Sequence, residues 1–82
     1  MDFQKGQIVI SLSGRDKGKL LAVAGCEDGF ILVCDGKERP LERAKKKNPR
    51  HLRATSMFIE KDSMATNPKL RKTLRALSEQ GR

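Results

Sequence analysis

Leu20-Leu21-Ala22-Val23-Ala24-Gly25-Cys26-Glu27-Asp28-Gly29-Phe30-Ile31-Leu32-Val33-Cys34-Asp35-Gly36 is the stretch whose reading decides the fold. It holds two apolar runs of strand length, with Asp28-Gly29 between them and Asp35-Gly36 after the second. Asp-Gly is a strong hairpin signal, because a type I′ turn needs positive φ at both central residues and glycine supplies it without steric penalty. Two such turns predict a three-stranded meander, its last strand running Glu38-Arg39-Pro40-Leu41-Glu42. Pro40 cannot donate a ladder hydrogen bond, which puts that strand at an edge or on a bulge. A two-residue loop at Asp28-Gly29 would set Glu27 opposite Phe30, Cys26 opposite Ile31 and Val23 opposite Cys34. The two cysteines would then be roughly 10 Å apart along the ladder, beyond the roughly 7 Å a disulfide tolerates. Both read as small buried or half-buried apolar residues.

Moving outward, Gln7-Ile8-Val9-Ile10-Ser11-Leu12 is β-branched and bounded by Gly6 and Ser13-Gly14, a further strand. Asn48-Pro49 breaks the chain before a last short strand, Leu52-Arg53-Ala54-Thr55-Ser56. Five short strands in so few residues favour a small, strongly curved barrel, since a flat sheet would leave a face and both edges bare. Met57-Phe58-Ile59 is expected to complete the core, with Phe30 also inside. The tail changes character. Asn67 reads as an N-cap, Pro68 as the first helical residue and Gly81 as the terminal glycine of a helix. Leu70, Leu74 and Leu77 share one face of it. That stripe is expected to pack on the barrel or a partner while Lys69, Arg71, Lys72 and Arg75 are solvated. The sharper alternative lays a basic helix along a phosphate backbone. The fold class is therefore mostly β, with barrel residues 1–56 and a connector plus helix over 57–82 in one domain.

Length and charge limit the function. A chain of 82 residues buries a thin core, so a second domain and a deep substrate pocket are not expected. The net charge is +8. Most of it comes from residues 37–53, where Lys37, Arg39, Arg43, Lys45, Lys46, Lys47, Arg50 and Arg53 face only Glu38 and Glu42. Fixed positive charge recruits polyanions by releasing their counterions. Ser13-Gly14-Arg15-Asp16-Lys17-Gly18-Lys19 invites comparison with a nucleotide-binding P-loop and fails it. The glycines are too close, Leu20 stands where a hydroxyl is needed, and a strand follows where a helix belongs.

Taken as a unit, residues 6–23 with this two-glycine basic loop resemble the KOW motif of ribosomal proteins and transcription elongation factors. Asp35-Gly36-Lys37, Arg39-Pro40-Leu41-Glu42 and Lys45-Lys46-Lys47-Asn48-Pro49-Arg50-His51-Leu52 extend the resemblance to archaeal and eukaryotic large-subunit ribosomal proteins with KOW domains, over about residues 4–56. The resemblance implies an SH3-like barrel whose loop and basic strands rest on structured RNA, often ribosomal RNA. By position, Gly14 and Gly18 would shape the loop, with Arg15, Lys17 and Lys19 as its phosphate contacts. Lys37, Arg39, Lys45, Lys46, Lys47, Arg50 and His51 match the family's basic stretch, and Arg53 adjoins them. The expected role is a ribosomal or ribosome-associated RNA-binding protein acting in translation as part of a ribonucleoprotein.

Composition narrows the RNA. Single-strand binders stack bases on aromatic platforms, and this chain has three Phe and no Trp or Tyr. With Phe30 and Phe58 assigned to the core and Phe3 isolated, contacts to phosphates and 2′-hydroxyls of folded RNA are expected instead. The same scarcity weighs against proline-rich-peptide grooves and methyl-lysine cages. A barrel that docks ribosomal or transcription proteins through a strand edge stands as the alternative, and DNA binding as a third. No catalytic residue, metal or cofactor is assigned: His51 is the only histidine, and Asp16, Asp28 and Asp35 sit at turns. The start Met1-Asp2-Phe3-Gln4 lacks a secretory pattern and no apolar run would span a membrane. A cytoplasmic monomer is expected.

Overall fold

Strand β1 (Gln7–Ser11), β2 (Leu20–Glu27), β3 (Phe30–Cys34), β4 (Lys45–Lys47) and β5 (Leu52–Phe58) build one antiparallel sheet in the order β4-β3-β2-β1-β5. Helix α1 (Asn67–Gln80) follows it. The structure, a computed structural model, describes residues 3–80. Short 3-10 turns lie at Leu41–Arg43, Pro49–His51 and Lys61–Met64. Among the described residues no helix is long and apolar enough to cross a membrane.

Successive residues of a strand face opposite ways, and in this sheet both faces are apolar. Phe3, Val9, Leu21, Val23, Ile31, Val33 and Leu52 form one buried cluster. Among the described residues no second layer covers it, so the sheet coils until side chains from β1, β2, β3 and β5 meet. Ile8, Ala22 and Cys34 point the other way and are covered by Leu70 and Leu74 of α1. Burial on both faces is why the runs of β2 and β3 do not alternate cleanly in sequence. No ladder joins β4 to β5 among the described residues, so the pairing stops short of a closed barrel.

The Asp28-Gly29 hairpin forms with positive φ at both residues, 51° and 81°. Glu27 opposes Phe30 and Cys26 opposes Ile31 as expected, but a bulge between Val23 and Gly25 then shifts the ladder by one. Cys34 therefore faces Ala22 instead of Val23. Both cysteines are free, and Cys26 is exposed, not half-buried, because the hairpin end of β2 runs out past the core. Burial, followed by the charge of Asp35, pushes the Cys34 thiol up to about 11, so it packs as an uncharged apolar group. Phe30 (40% exposed) and Phe58 (54% exposed) do not lie in the core, since both stand at strand ends beyond the covered faces. The buried aromatic is Phe3.

The strand expected over residues 38–42 is absent. Asp35 Oδ1 accepts from the N–H groups of Lys37 and Arg39 at 2.8 and 2.9 Å, closing a local turn, and Pro40 leads into the 3-10 turn that follows. The third meander strand is β4, and it pairs Lys45 with Val33 and Lys47 with Ile31.

The helix begins one residue earlier than the Asn-Pro signal suggests. Thr66 caps it, accepting from the Lys69 N–H through Oγ1 at 3.3 Å. Asn67 is occupied elsewhere: its Oδ1 accepts from the Leu41 N–H and its amide donates to Glu42, both at 2.8 Å. Gly81, read as the terminal glycine, lies outside the described residues. The leucine stripe seats on the sheet, with Leu70 and Leu74 buried and Leu77 partly so.

Gly36 holds the helix from beneath. Its φ is +79°, and a Cβ there would collide with the Asn67 carbonyl and come within 3.1 Å of the Arg71 nitrogen. Gly36→Ala is expected to cost more than about 1 kcal/mol, and Leu70→Ala about 2–5 kcal/mol. Urea midpoints read both. An unchanged midpoint in either variant would show that α1 contributes nothing through this contact.

Candidate nucleic-acid interface

Antiparallel order decides where the charge goes. The β1–β2 connection (residues 12–19) and the β3–β4 connection (35–44) leave the sheet at the same end, and residues 48–51 enter β5 there, opposite Ser11. Arg15, Lys17, Lys19, Lys37, Arg50 and His51 are exposed on these three segments, and Arg39 is half-buried. Arg53 pairs with Ile10 and is exposed just inside this end. Glu27 and Asp28 occupy the opposite end, at the β2–β3 hairpin.

The 12–19 loop is fixed by its backbone. Gly18 N–H donates to Ser11 O at 2.8 Å, Lys19 N–H to Asp16 O at 2.9 Å, and Leu12 N–H to His51 O at 2.9 Å. Gly14 and Gly18 carry φ of +83° and +85°, the loop-shaping role expected of them. Within this frame Asp16 turns inward while Arg15, Lys17 and Lys19 stay outside. The opposed orientation sorts the loop's charges into one structural and three solvent-facing groups.

Asp16 meets Lys47 inside. The Lys47 ammonium donates to Ser11 Oγ (2.7 Å), Ser13 O (2.9 Å) and Asp16 Oδ1 (3.1 Å), using all three of its donors. Ser11 Oγ also donates to Asp16 Oδ1 at 2.7 Å. Burial works to raise the Asp16 pKa, but the hydrogen bonds from Ser11 and Lys47 and the Lys47 charge together hold it below 3.8. Asp16 Oδ2 is buried without a partner among the described residues.

Lys47 is thus corrected: it is 6% exposed and cannot touch RNA phosphates. The lysine triplet is not one patch, because strand alternation sends Lys46 to the face opposite Lys45 and Lys47. Lys46 lies 2.8 Å from Glu27, drawn toward the acidic end. Only Lys45 remains exposed without a carboxylate within 4 Å among the described residues.

The structure brings helix cations, which the reading of the sequence gave only as the sharper alternative, beside the loops. Lys19 and Lys37 border a groove whose other wall is α1, where Arg71 and Arg75 line it with Ser78. The signal was present in the helix's basic flank, but which flank would meet the loops depended on how α1 docks. Compared with models of known protein families and with curated proteins, the sequence matches none.

Removing Lys47 strands a buried carboxylate, so Lys47→Ala is expected to cost about 3–5 kcal/mol. Pairing it with Asp16→Asn should cost less than the two single losses combined. Because the native pKa is lowered, Asp16's contribution is complete above its unfolded value near 3.8 and disappears as pH falls through the native value. Urea midpoints across the acid range should therefore fall more steeply for the wild type than for Asp16→Asn. Parallel profiles would remove the ion pair from the stability account.

Proposed function

We propose that this protein binds structured RNA through phosphate contacts, without catalysis, as a cytoplasmic ribosomal or ribosome-associated component. The observation that carries the reading is the gathering of Arg15, Lys17, Lys19, Lys37, Arg39, Arg50 and Arg53 at one end of the sheet, where they outnumber the exposed Glu38 and Glu42, with the acidic hairpin at the other. Arg15, Lys17, Lys19, Lys37, Arg39, Lys45, Arg50, His51 and Arg53 form the contact set. Lys46 contributes if its exposed pair with Glu27 opens, a pair whose net worth is about 0–1 kcal/mol. The resemblance to the KOW motif, with its SH3-like barrel, supports ribosomal RNA as the target. The strand order and the 3-10 turn leading into β5 suit that fold, although the seam between β4 and β5 is unpaired.

Exposed Phe30 and Phe58 do not convert the protein into a single-strand reader. Phe30 borders the acidic hairpin, and Phe58 ends β5 at the end of the sheet away from the basic loops. Phe30 pairs with Glu27, which holds Lys46 at 2.8 Å, and neither phenylalanine lies on the three connections that carry the loop cations.

A second reading, docking of ribosomal or transcription proteins, draws on β5, which among the described residues pairs only with β1. The register shift between Gln7 and Val9 interrupts that ladder, and such irregularities blunt an edge against further pairing. Recovery from lysate with and without ribonuclease separates the readings, since RNA-mediated partners vanish on digestion.

Fluorescence anisotropy with a short labelled RNA duplex, repeated at several salt concentrations, is the direct test. Affinity should fall with salt, with a slope of about −0.9 per phosphate neutralised, and single-stranded RNA should bind more weakly. Lys45→Ala, Arg50→Ala and Arg53→Ala together should weaken binding and leave the urea midpoint in place. Salt-independent affinity would defeat the phosphate mechanism. Replacing Lys47 along with Lys45 and Lys46 is a poor test, because it unseats the loop as well.

A further inference from the structure

We infer that the groove between α1 and the Lys19 and Lys37 segments is a second phosphate-binding surface for the same RNA, with Arg71, Lys72 and Arg75 as its contacts. The inference rests on the RNA-binding reading and extends it to the helix, which lies outside the residues that resemble the KOW family. Lys19, Lys37, Arg71 and Arg75 line one groove, and Lys37, Arg71, Lys72 and Arg75 line an adjoining one, so the cations form a continuous strip.

The nearby carboxylates do not neutralise it. Asp35 lines the groove and keeps its negative charge, its Oδ1 accepting from the Lys37 and Arg39 N–H groups, but one carboxylate stands there against Lys19, Lys37, Arg71 and Arg75. Glu38 reaches Lys19 at 3.9 Å and Glu79 reaches Arg75 at 3.7 Å, both as exposed pairs that a phosphate displaces at little cost. Lys37, Arg71 and Lys72 have no carboxylate within 4 Å among the described residues. The opposite flank of the helix is different, for there Lys69 lies 3.2 Å from Asp62. The basic strip therefore belongs to one flank only, the one turned toward the loops.

Arg71 and Arg75 are one helical turn apart, about 6 Å along the axis, comparable to the step between successive phosphates of an RNA strand. Leu70, Leu74 and the Gly36 contact seat α1 firmly, so its cations are held in place before binding. Preorganised groups lose less entropy on association than side chains on a mobile tail.

The test compares Arg71→Glu/Arg75→Glu with Lys5→Glu/Lys61→Glu, which makes the same change in net charge at exposed positions near the other end of the sheet. With the labelled RNA duplex, the helix variant should lose about tenfold or more in affinity and flatten the salt slope by about two contacts' worth. The control variant should lose clearly less. Circular dichroism and urea midpoints check folding, and Arg71→Gln/Arg75→Gln replaces the reversal if it perturbs the helix. Equal losses in the two variants would reduce the effect to net charge and overturn the inference. Wild-type affinity in the helix variant would overturn it alone, leaving the loop reading intact. A wild-type protein that fails to bind the duplex would overturn both.

Discussion

A single buried ammonium ties the ends of this fold together. Lys47 sits on β4, the edge strand, yet all three of its donors reach the end of β1 and the loop beyond it. Among the described residues no backbone pairing joins β4 to β5, and this buried side-chain bridge links β4 to the end of β1 instead. Its charge is tolerated inside because Asp16 supplies the counter-charge and Ser11 and Ser13 complete the hydrogen bonds. Such a pair adds little compared with an apolar core, but losing one member exposes the whole desolvation penalty of the other. The loop that displays Arg15, Lys17 and Lys19 is thereby pinned to β4 through Ser11, Ser13 and Asp16.

Strand order sets the electrical asymmetry of the molecule. Antiparallel strands return alternate connections to the same end, and here the cations of residues 12–19, 35–44 and 48–51 share one end, in excess over Glu38 and Glu42, while Glu27 and Asp28 lie at the other. Helix α1 then covers the face formed by Ile8, Ala22 and Cys34 and brings its own cations beside Lys19 and Lys37. A net charge of +8 on so small a body thus becomes a directed surface and not a uniform coat.

The core is thin but covered on both sides. One face of the sheet packs against itself by coiling and the other against the leucine stripe. Phe3 fills the coiled side, where an isolated aromatic near the N-terminus gave no periodic signal. Phe30 and Phe58 lie in apolar runs and still emerge at strand ends, because burial depends on where a strand stops being covered and not on the hydropathy of its neighbours.

Local chemistry made several elements legible in the sequence: the Asp28-Gly29 hairpin, the two-glycine loop, four of the five strands and a helix with its leucines on one face, while the fifth strand, Lys45–Lys47, lies after the 38–42 segment read as a strand. Each is decided by residues a few positions apart, through turn dihedrals, strand propensity or helical spacing. The basic block was legible too, as composition. What tertiary structure alone decided was the direction each charge faces. Lys45, Lys46 and Lys47 are identical side chains in a row, yet one has no carboxylate within 4 Å among the described residues, one is drawn to Glu27 and one is buried on Asp16. Likewise, nothing local to Asn67 reveals that its side chain serves Leu41 and Glu42 while Thr66 caps the helix. Burial, pairing and the choice of helix flank are long-range facts, set by which distant segments the coiled sheet brings into contact.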